Sequence, residues 1–214
     1  MQVDTLTVGE FQANCYVVQG AAGQALVIDP GAEPAQILDL LSRRRLTVCA
    51  YLLTHGHMDH IGAIADLEAE RPAPIALHPD DLTWAFTPQN QMPPFYGVPR
   101  RPRRVERLLQ HGQTWSDAGL TYTILGTPGH SPGSVCVFFP EENALFSGDT
   151  LFAGSVGRTD LPGGDSRALA ASLARLARLP ATTAVYPGHG PDTDLGQELQ
   201  TNYFMQGAGR RNPC

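Results

Sequence analysis

The sequence lacks lysine altogether, and all fifteen of its basic residues are arginine. Twenty-one acidic residues outnumber them, which gives a formal net charge of −6 at pH 7. A chain of this sign has no general attraction to nucleic acids or anionic membranes, so we expect neither as a partner. Charged residues make up 17% of the chain and hydrophobic residues 42%, a balance typical of globular proteins.

Cysteine is also scarce. The four cysteines, Cys15, Cys49, Cys136 and Cys214, show no C-x-x-C spacing, so we expect free thiols, as in a cytoplasmic protein. The N-terminal MQVDTLTVGEF has neither a basic start nor an apolar core, unlike a signal peptide. No apolar run approaches the roughly 18 residues of a membrane span. These absences predict a cytoplasmic protein with no membrane partner.

Short strands and helices alternate along the chain. Apolar or alternating runs predict strands at 3–8, 14–18, 25–29, 48–53, 74–77, 107–110, 120–125, 134–139, 144–146 and 183–186. Helical periodicity predicts helices at 33–45, from His60 to about residue 70, at 80–86, at 165–179 and at 194–206. The proline-rich segment 87–104 is predicted to be a loop. The order favours two sheets face to face with helices outside, a four-layer α/β sandwich in one domain over 1–214.

The segment LLTHGHMDHIG (52–62) concentrates three of the seven histidines beside an aspartate. It joins a predicted strand to a predicted helix. Residues two apart in an extended loop point the same way, so His55 and His57 can bind one ion together. Asp59 and His60 fall at the helix start and would face a second ion. We therefore interpret the segment as a metal site and not as a chance polar loop.

Three further positions follow predicted strands and carry side chains that bind metals. His130 lies in the turn of LGTPGHSPGS, Asp149 ends the strand of LFSGDTLF, and His189 lies in the turn of VYPGHGPDT. Each alone could equally be an ordinary surface turn, but together with the first cluster they predict a dinuclear centre. The remaining histidines, His78 and His111, are expected at the surface or capping a helix.

The pattern His55-x-His57-x-Asp59-His60, with His130, Asp149 and His189, resembles the metallo-β-lactamase superfamily of hydrolases over about residues 3–206. The resemblance implies an αββα sandwich. It assigns the first metal to His55, His57 and His130. It assigns the second metal to Asp59, His60 and His189, with Asp149 as the bridge. Imidazole and carboxylate donors without cysteine suit two zinc ions, and iron or manganese accept the same donors.

Within the superfamily, FAGSVGRTDLPGGD (152–165) and GHGPDTDLGQELQTN (188–202) are most similar to short glyoxalase II-like enzymes, the hydroxyacylglutathione hydrolases. Full-length enzymes of that type add a helical C-terminal domain with glutathione-binding residues. This sequence ends soon after the predicted helix 194–206, so we expect no separate C-terminal substrate domain. The identity of the thiol carrier stays open, as does the oligomeric state.

The resemblance implies hydrolysis of a small-molecule thioester, such as S-D-lactoylglutathione or a related hydroxyacyl thiol, by a hydroxide held between the ions. By the same resemblance, Asp59 orients that hydroxide and is the catalytic residue. A thiolate with a pKa of about 8.5 leaves without a general acid. Arg158 stands where glyoxalase II enzymes carry lysine, which predicts that it binds a substrate carboxylate. The alternative is a structural ion pair, for example with Asp160.

Other functions stay open on the sequence alone. An iron-dependent persulfide dioxygenase shares the fold and the GRTD stretch. A ribonuclease of this fold would be expected to carry a basic surface, and a non-enzymatic metal-binding protein would be expected to lose ligands. A β-lactamase of the zinc-thiolate type would use cysteine where Asp149 stands.

Two supporting features are also predicted. Asp29 follows a strand in VIDPGA, so we expect it behind the ligands, in a supporting or loop-closing role. The arginines of 100–107 lie near Phe95 and Tyr96 and could form an anion-attracting lid. We favour the other interpretation, a solvated basic loop.

Overall fold

The structure is a computed structural model that describes residues 1–206. Its first six-stranded sheet keeps the chain order from edge to edge. The strands are β1 (Gln2–Val8), β2 (Ala13–Gln19), β3 (Gln24–Ile28), β4 (Thr47–Leu52), β5 (Ile75–Leu77) and β6 (Arg107–Leu108). The helices of this half are α1 (Pro34–Arg43), α2 (Met58–Ile61), α3 (Ile64–Glu70) and α4 (Pro79–Leu82).

The second half of the chain forms another six-stranded sheet and a small ribbon. Its strands are β7 (Thr114–Asp117), β8 (Leu120–Gly126), β9 (Val135–Phe139), β10 (Ala144–Gly148), β11 (Leu151–Phe152), β12 (Ser155–Val156), β13 (Ala184–Pro187) and β14 (Thr193–Asp194). The order across the sheet is β14-β13-β10-β9-β8-β7, and β11 pairs with β12 alone. Two helices complete this half, α5 (Ser166–Leu176) and α6 (Leu195–Thr201).

Three apolar clusters hold the layers together. The central cluster joins the inner faces of the two sheets, with Leu26 and Ile28 on one side and Tyr122 and Phe146 on the other. An outer cluster packs α1 and α3 on the first sheet, and a third packs α5 and α6 on the second. Each fully buried large apolar side chain contributes about 1.5–3 kcal/mol to this packing. The layer order is αββα, which confirms the fold predicted from the sequence.

Strand direction brings the segments after several strands to one edge of the sandwich. Strands β3, β4 and β5 are parallel to one another, and β10 is parallel to β13. Strand β8 runs the same way as β10, because both are antiparallel to β9 between them. The carboxyl ends of parallel strands meet at the same edge, where ligands bind in sheets of this type. In the second sheet, strands β8, β10 and β13, which precede His130, Asp149 and His189, therefore end at the same edge.

All the predicted strands are present, but some elements differ from prediction. Strands β7, β11, β12 and β14 were not predicted, because they are short and none has an apolar run longer than two residues. The helix predicted at 194–206 ends at Thr201, where the Asn202 side chain donates to the Ser155 carbonyl and turns begin. The helix predicted from His60 is divided into α2 and α3, and the one predicted at 80–86 forms only α4, followed by turns.

The cysteines and the segment 87–104 agree with expectation as far as the structure describes them. Cys15, Cys49 and Cys136 are free thiols, while Cys214 lies outside the described residues. Burial raises the pKa of the Cys136 thiol to about 11. Segment 87–104 contains turns and one isolated bridge between Met92 and Tyr96. Among residues 1–206, no helix combines the length and apolarity needed to cross a membrane.

Candidate metal centre

The seven predicted ligands converge at the edge where the strands end. Six of them fall into two groups, and within each group the ligand atoms lie within 4.8 Å of one another. The first group is His55, His57 and His130. The second group is Asp59, His60 and His189. These are the two sets that the resemblance assigned to separate ions.

The distances within each group suit coordination of one ion. In the first group, His57 Nδ1 lies 2.9 Å from His130 Nε2. In the second, His60 Nε2 lies 3.2 Å from His189 Nε2, which lies 3.3 Å from Asp59 Oδ2. Tetrahedral ligands at about 2.0–2.1 Å from an ion are separated by about 3.3 Å from one another. The separations therefore match those of ligands around a shared cation.

Asp149 lies between the two groups. Its Oδ2 is 3.4 Å from His130 Nε2 in the first group. Its Oδ1 is 3.4 Å from His60 Nε2, and its Oδ2 is 3.6 Å from His189 Nε2, both in the second group. One carboxylate thus faces both sets, the position that a bridging ligand requires.

Two ligand atoms in this cluster are buried without a hydrogen-bond partner. They are His55 Nε2 and Asp149 Oδ1. A buried acceptor left unsatisfied costs about 1–3 kcal/mol, and such groups are rare in folded proteins. Both atoms face other electron-rich atoms, so a cation is the group that would satisfy them. The residues fit two divalent metal ions.

The pKa values in the cluster reflect the same arrangement. Burial and the neighbouring histidines lower the pKa of His55 well below its usual value, and burial followed by His130 lowers that of His57 to about 4. Both rings are therefore neutral at pH 7, the form that binds metal. Burial opposes a charge on His60, but Asp149, Asp59 and Asp29 outweigh it and raise its pKa to about 10. The potential at the second group therefore favours positive charge.

The ring nitrogens that face away from the centre are held by other groups. His55 Nδ1 lies 3.1 Å from Thr54 Oγ1, and His60 Nδ1 lies 3.2 Å from Asp29 Oδ2. Such contacts fix the ring orientation and decide which nitrogen faces a metal. Backbone carbonyl groups orient the other two rings. His130 Nδ1 lies 2.8 Å from the Arg158 carbonyl oxygen. Likewise, His189 Nδ1 lies 3.0 Å from the Phe11 carbonyl oxygen.

Asp29 occupies the supporting position that we expected. Its carboxylate accepts hydrogen bonds from the Thr54 backbone nitrogen (2.7 Å) and from Thr54 Oγ1 (2.6 Å). Ligand atoms of Asp29, His55 and His60 also lie within 4.8 Å of one another, close enough to hold an ion. The Asp29 oxygens, however, already contact Thr54 and His60 Nδ1, on the side of that ring opposite the ligand cluster. Asp29 therefore supports the ligands from behind.

Two buried polar residues that the sequence did not reveal hold the loops in place. Asp81 accepts hydrogen bonds from the Gly56 nitrogen at 2.8 Å and from Ser131 Oγ at 2.6 Å, which ties the first ligand loop to the His130 loop. Asn90 accepts from the Met58 nitrogen and donates to the Gly56 carbonyl. Neither residue lies in a motif, so single-sequence analysis offered no signal for them.

Two glycines allow the sheets to approach at the site. A Cβ at Gly148, whose φ is +48°, would lie 2.4 Å from Thr54 Oγ1 on the other sheet's loop. A Cβ at Gly188 would lie 2.2 Å from Asp149 Oδ1 and 2.9 Å from His60 Cε1. Real Cβ atoms do not come this close to other atoms. Both positions therefore need glycine for the ligands to converge.

Arg158 lies at the rim of the cavity above the ligands, where its side chain is 59% exposed. Its guanidinium forms two hydrogen bonds to Asp160, Nε to Oδ1 at 2.6 Å and Nη2 to Oδ2 at 2.7 Å. The structural ion pair named as the alternative is thus present. The role in substrate binding stays a prediction.

The other sequence predictions near the site have plain outcomes. His78 caps α4 by accepting from the Asp80 nitrogen, and His111 is exposed and accepts from the Gly126 nitrogen. Arg100 pairs with Asp66 on α3 and Arg107 with Asp117 on β7. None of the arginines of 100–107 lines the cavity. These contacts support the surface-loop interpretation and not the lid.

A family profile described as the metallo-beta-lactamase superfamily matches residues 8–189. The chain therefore belongs to the metallo-β-lactamase superfamily, and it is an enzyme of hydrolase type with a metal-binding cluster of histidine and aspartate. A probable metallo-hydrolase, YqgX of Bacillus subtilis (strain 168), is 36% identical and aligns over 94% of this chain and 96% of its own. Hydroxyacylglutathione hydrolase GloC of Haemophilus influenzae (strain ATCC 51907 / DSM 11121 / KW20 / Rd) is 31% identical over 96% of this chain and 98% of its own.

Solved structures agree with the family. The crystal structure of the BLEG-1 B3 metallo-beta-lactamase has a TM-score of 0.90 and 38% identity, covering 96% of this chain and 100% of that one. TTHA1623 in a di-iron-bound form has a TM-score of 0.87 and 45% identity, covering 94% and 100%. ETHE1 from Myxococcus xanthus has a TM-score of 0.80 and 28% identity, covering 97% and 85%.

We expect close to two metal ions per chain after gentle purification, because two complete ligand groups flank Asp149. Replacing the bridge, Asp149→Ala, should reduce the content to one ion or fewer by elemental analysis. Asp160→Ala, an exposed carboxylate outside the cluster, is the control and should keep two. One ion per chain in a fully active protein that is indifferent to Asp149→Ala would contradict the dinuclear centre.

Thr54→Val tests the support behind the ligands. The change keeps the shape of the side chain but removes the hydroxyl that contacts Asp29 and His55 Nδ1. Loss of such an outer partner weakens metal affinity by about 10–100-fold. Competition with a chelating dye would measure the affinity, and Thr114→Val on the exposed face of β7 is the control. Equal affinity in the two variants would show that the Thr54 hydroxyl does not orient the ligands.

Proposed function

We propose that the protein is a dinuclear metal-dependent thioester hydrolase that acts on S-D-lactoylglutathione or a related hydroxyacyl thiol. The observation that carries the proposal is the Asp149 carboxylate, which faces two complete ligand groups. A reaction at one redox-active ion would require only one of these groups. The relative named hydroxyacylglutathione hydrolase, 31% identical over nearly the whole of both chains, supports the same reaction class.

A bound pair of divalent ions supplies Lewis acidity, which acidifies water and stabilises negative charge on a carbonyl oxygen. The chain's own residues do the rest. Asp59 lines the cavity, and although burial opposes ionisation, His60 and His189 hold its pKa well below the usual range. Its carboxylate therefore stays ionised at neutral pH and can accept a hydrogen bond from the attacking water. This orients the water for attack on the carbonyl carbon.

The residues around the cavity fit a thiol leaving group. Within residues 1–206, no tyrosine and no carboxyl group other than the predicted ligands lines the cavity. An amine leaving group would need a proton donor, whereas a thiol of pKa about 8.5 departs as the thiolate. The donor set therefore supports a thioester as the substrate in preference to an amide.

The metal and the cellular setting belong to the proposal as well. Neutral imidazoles with carboxylates and no cysteine support zinc as the metal. The free thiols of Cys15, Cys49 and Cys136 support a reducing compartment, the cytoplasm. We propose a small-molecule thioester as the partner, and neither nucleic acid nor a membrane.

An iron-dependent persulfide dioxygenase is the second candidate. The observation that favours iron as the metal is the similar structure, 45% identical, in a di-iron-bound form. The two functions differ in their need for the second ligand group. Hydrolysis uses Asp59, His60 and His189, whereas oxygen chemistry at one iron needs only the first group.

A side-by-side assay distinguishes the two. Zinc-loaded and iron-loaded protein would each receive S-D-lactoylglutathione and glutathione persulfide, with free thiol and oxygen uptake followed. We expect thioester cleavage with zinc and no oxygen uptake, and at least a hundredfold loss of rate in His189→Ala, because the second group is broken. Oxygen consumption only with iron and only with the persulfide would refute the hydrolase.

Steady-state kinetics distinguish the two roles of Arg158, substrate binding and a structural ion pair with Asp160. If its guanidinium binds a substrate carboxylate, Arg158→Ala raises KM more than it lowers kcat, because ground-state binding is lost. Asp160→Ala releases the guanidinium and should lower KM, while the exposed Arg178→Ala changes neither constant. If Arg158→Ala melts at a lower temperature and keeps its KM, the Asp160 pair is purely structural.

A further inference from the structure

The walls of the cavity above the ligands are largely apolar. The cavity encloses about 570 Å³, with the ligand residues as its floor. Phe11 from the β1–β2 turn contributes to the wall together with Met92 and Phe95. Phe152 and Val156 of the β11–β12 ribbon add to it. A substrate that reaches the metals must therefore pass along hydrophobic and aromatic side chains.

One part of this wall, formed by Phe11, Met92 and Phe95, is an ordered structure; we call it the aromatic wall. Met92 and Tyr96 exchange backbone hydrogen bonds of 2.9 and 3.0 Å, which close the loop that carries Phe95. The Tyr96 ring packs 4.9 Å from that of Phe11, which anchors the loop to the β1–β2 turn. The Phe95 ring lies 5.7 Å from Phe11 and is 55% exposed. An exposed phenylalanine on a closed loop leaves apolar surface available to a ligand.

The cavity has little charge with which to bind a charged thiol. Among residues 1–206, Arg158 is the only arginine in its lining, and Asp160 neutralises it. A neighbouring cavity of about 400 Å³ shares His57 and Met58 and is otherwise lined by uncharged residues such as Trp84. Glutathione carries two carboxylates and one ammonium group. Burying charges without partners is costly, so the lining of these two cavities disfavours binding of the glutathione part of a thioester.

We infer that the preferred substrate is a thioester whose sulfur carries an apolar hydrocarbon group, with no more than one carboxylate, bound through that group against the aromatic wall. The inference rests on the proposed thioesterase function and names the thiol carrier that the function leaves open. The acyl carbonyl lies over the ligand residues, and the apolar thiol part contacts Phe95 and its neighbours. A single carboxylate would be met by Arg158.

The test keeps the acyl group constant and varies the thiol. D-lactoyl thioesters of benzyl mercaptan, N-acetylcysteamine and glutathione have alkanethiol leaving groups, so differences in kcat/KM report mainly on binding. We expect the benzyl thioester to exceed the glutathione thioester by about tenfold or more, the effect of burying a ring. Phe95→Ala should lower kcat/KM about fivefold for the benzyl thioester and lower it less for the other two.

Phe204→Ala is the matched control, since Phe204 is 53% exposed and lies outside the cavity lining. It should leave all three constants unchanged, and each variant should keep the metal content of the parent. If the glutathione thioester is preferred and Phe95→Ala has no selective effect, the inference is wrong while the hydrolase function stands.

If no thioester is cleaved, the proposed function fails, and binding alone decides the inference. The unreactive thioether 1-(benzylthio)propan-2-ol, titrated calorimetrically into the metal-loaded protein, is the probe. Binding that weakens about fivefold in Phe95→Ala, but not in Phe204→Ala, supports apolar recognition at the aromatic wall. Absent binding, or equal binding by both variants, overturns it.

Discussion

The crowding of electron-rich atoms at one buried edge is the constraint on which the rest of the structure depends. Nitrogen and oxygen atoms of the ligand residues lie 2.9–3.6 Å apart, and His55 Nε2 has no hydrogen-bond partner. Lone pairs at these separations repel unless positive charge lies between them. In the first group, where His55 and His57 are neutral, the fold must therefore hold the rings together by other means. The apolar core between the sheets provides this rigidity, because the strand ends cannot separate without exposing it.

The architecture meets this demand with small residues and polar ties at the strand ends. Gly148 and Gly188 remove the Cβ atoms that would collide with Thr54 and Asp149. The Asp29 carboxylate joins the end of β3 to the loop after β4, and Asp81 joins that loop to the His130 turn. Both carboxylates accept several hydrogen bonds, so their burial is compensated. These ties thus fix the positions of the loops that carry the ligand residues.

Features that depend on interactions local in sequence were predicted, and features that depend on contacts between distant segments were not. Local periodicity was enough for ten of the fourteen strands within residues 1–206 and for the αββα order. The spacing in the His55–His60 loop was enough to predict which of its side chains converge. The supporting roles of Asp81 and Asn90 were not predicted, because both residues act through hydrogen bonds to segments that are distant in sequence. The end of α6 was not predicted for a similar reason: the Asn202 side chain donates a hydrogen bond to the Ser155 carbonyl of β12. Short edge strands such as β7 depend on a partner strand, not on their own apolar residues.

Phe11 has two attachments at once. Its ring belongs to the aromatic wall, while its carbonyl oxygen lies 3.0 Å from His189 Nδ1 in the second ligand group. A displacement of the β1–β2 turn therefore alters both the cavity wall and the position of the His189 ring. Linkage is reciprocal: whatever free energy a metal contributes to ordering this turn also favours the apolar ligand, and by the same amount the ligand favours the metal. A metal held by His189 and an apolar ligand held by the Phe11 ring would thus be coupled through a single peptide unit.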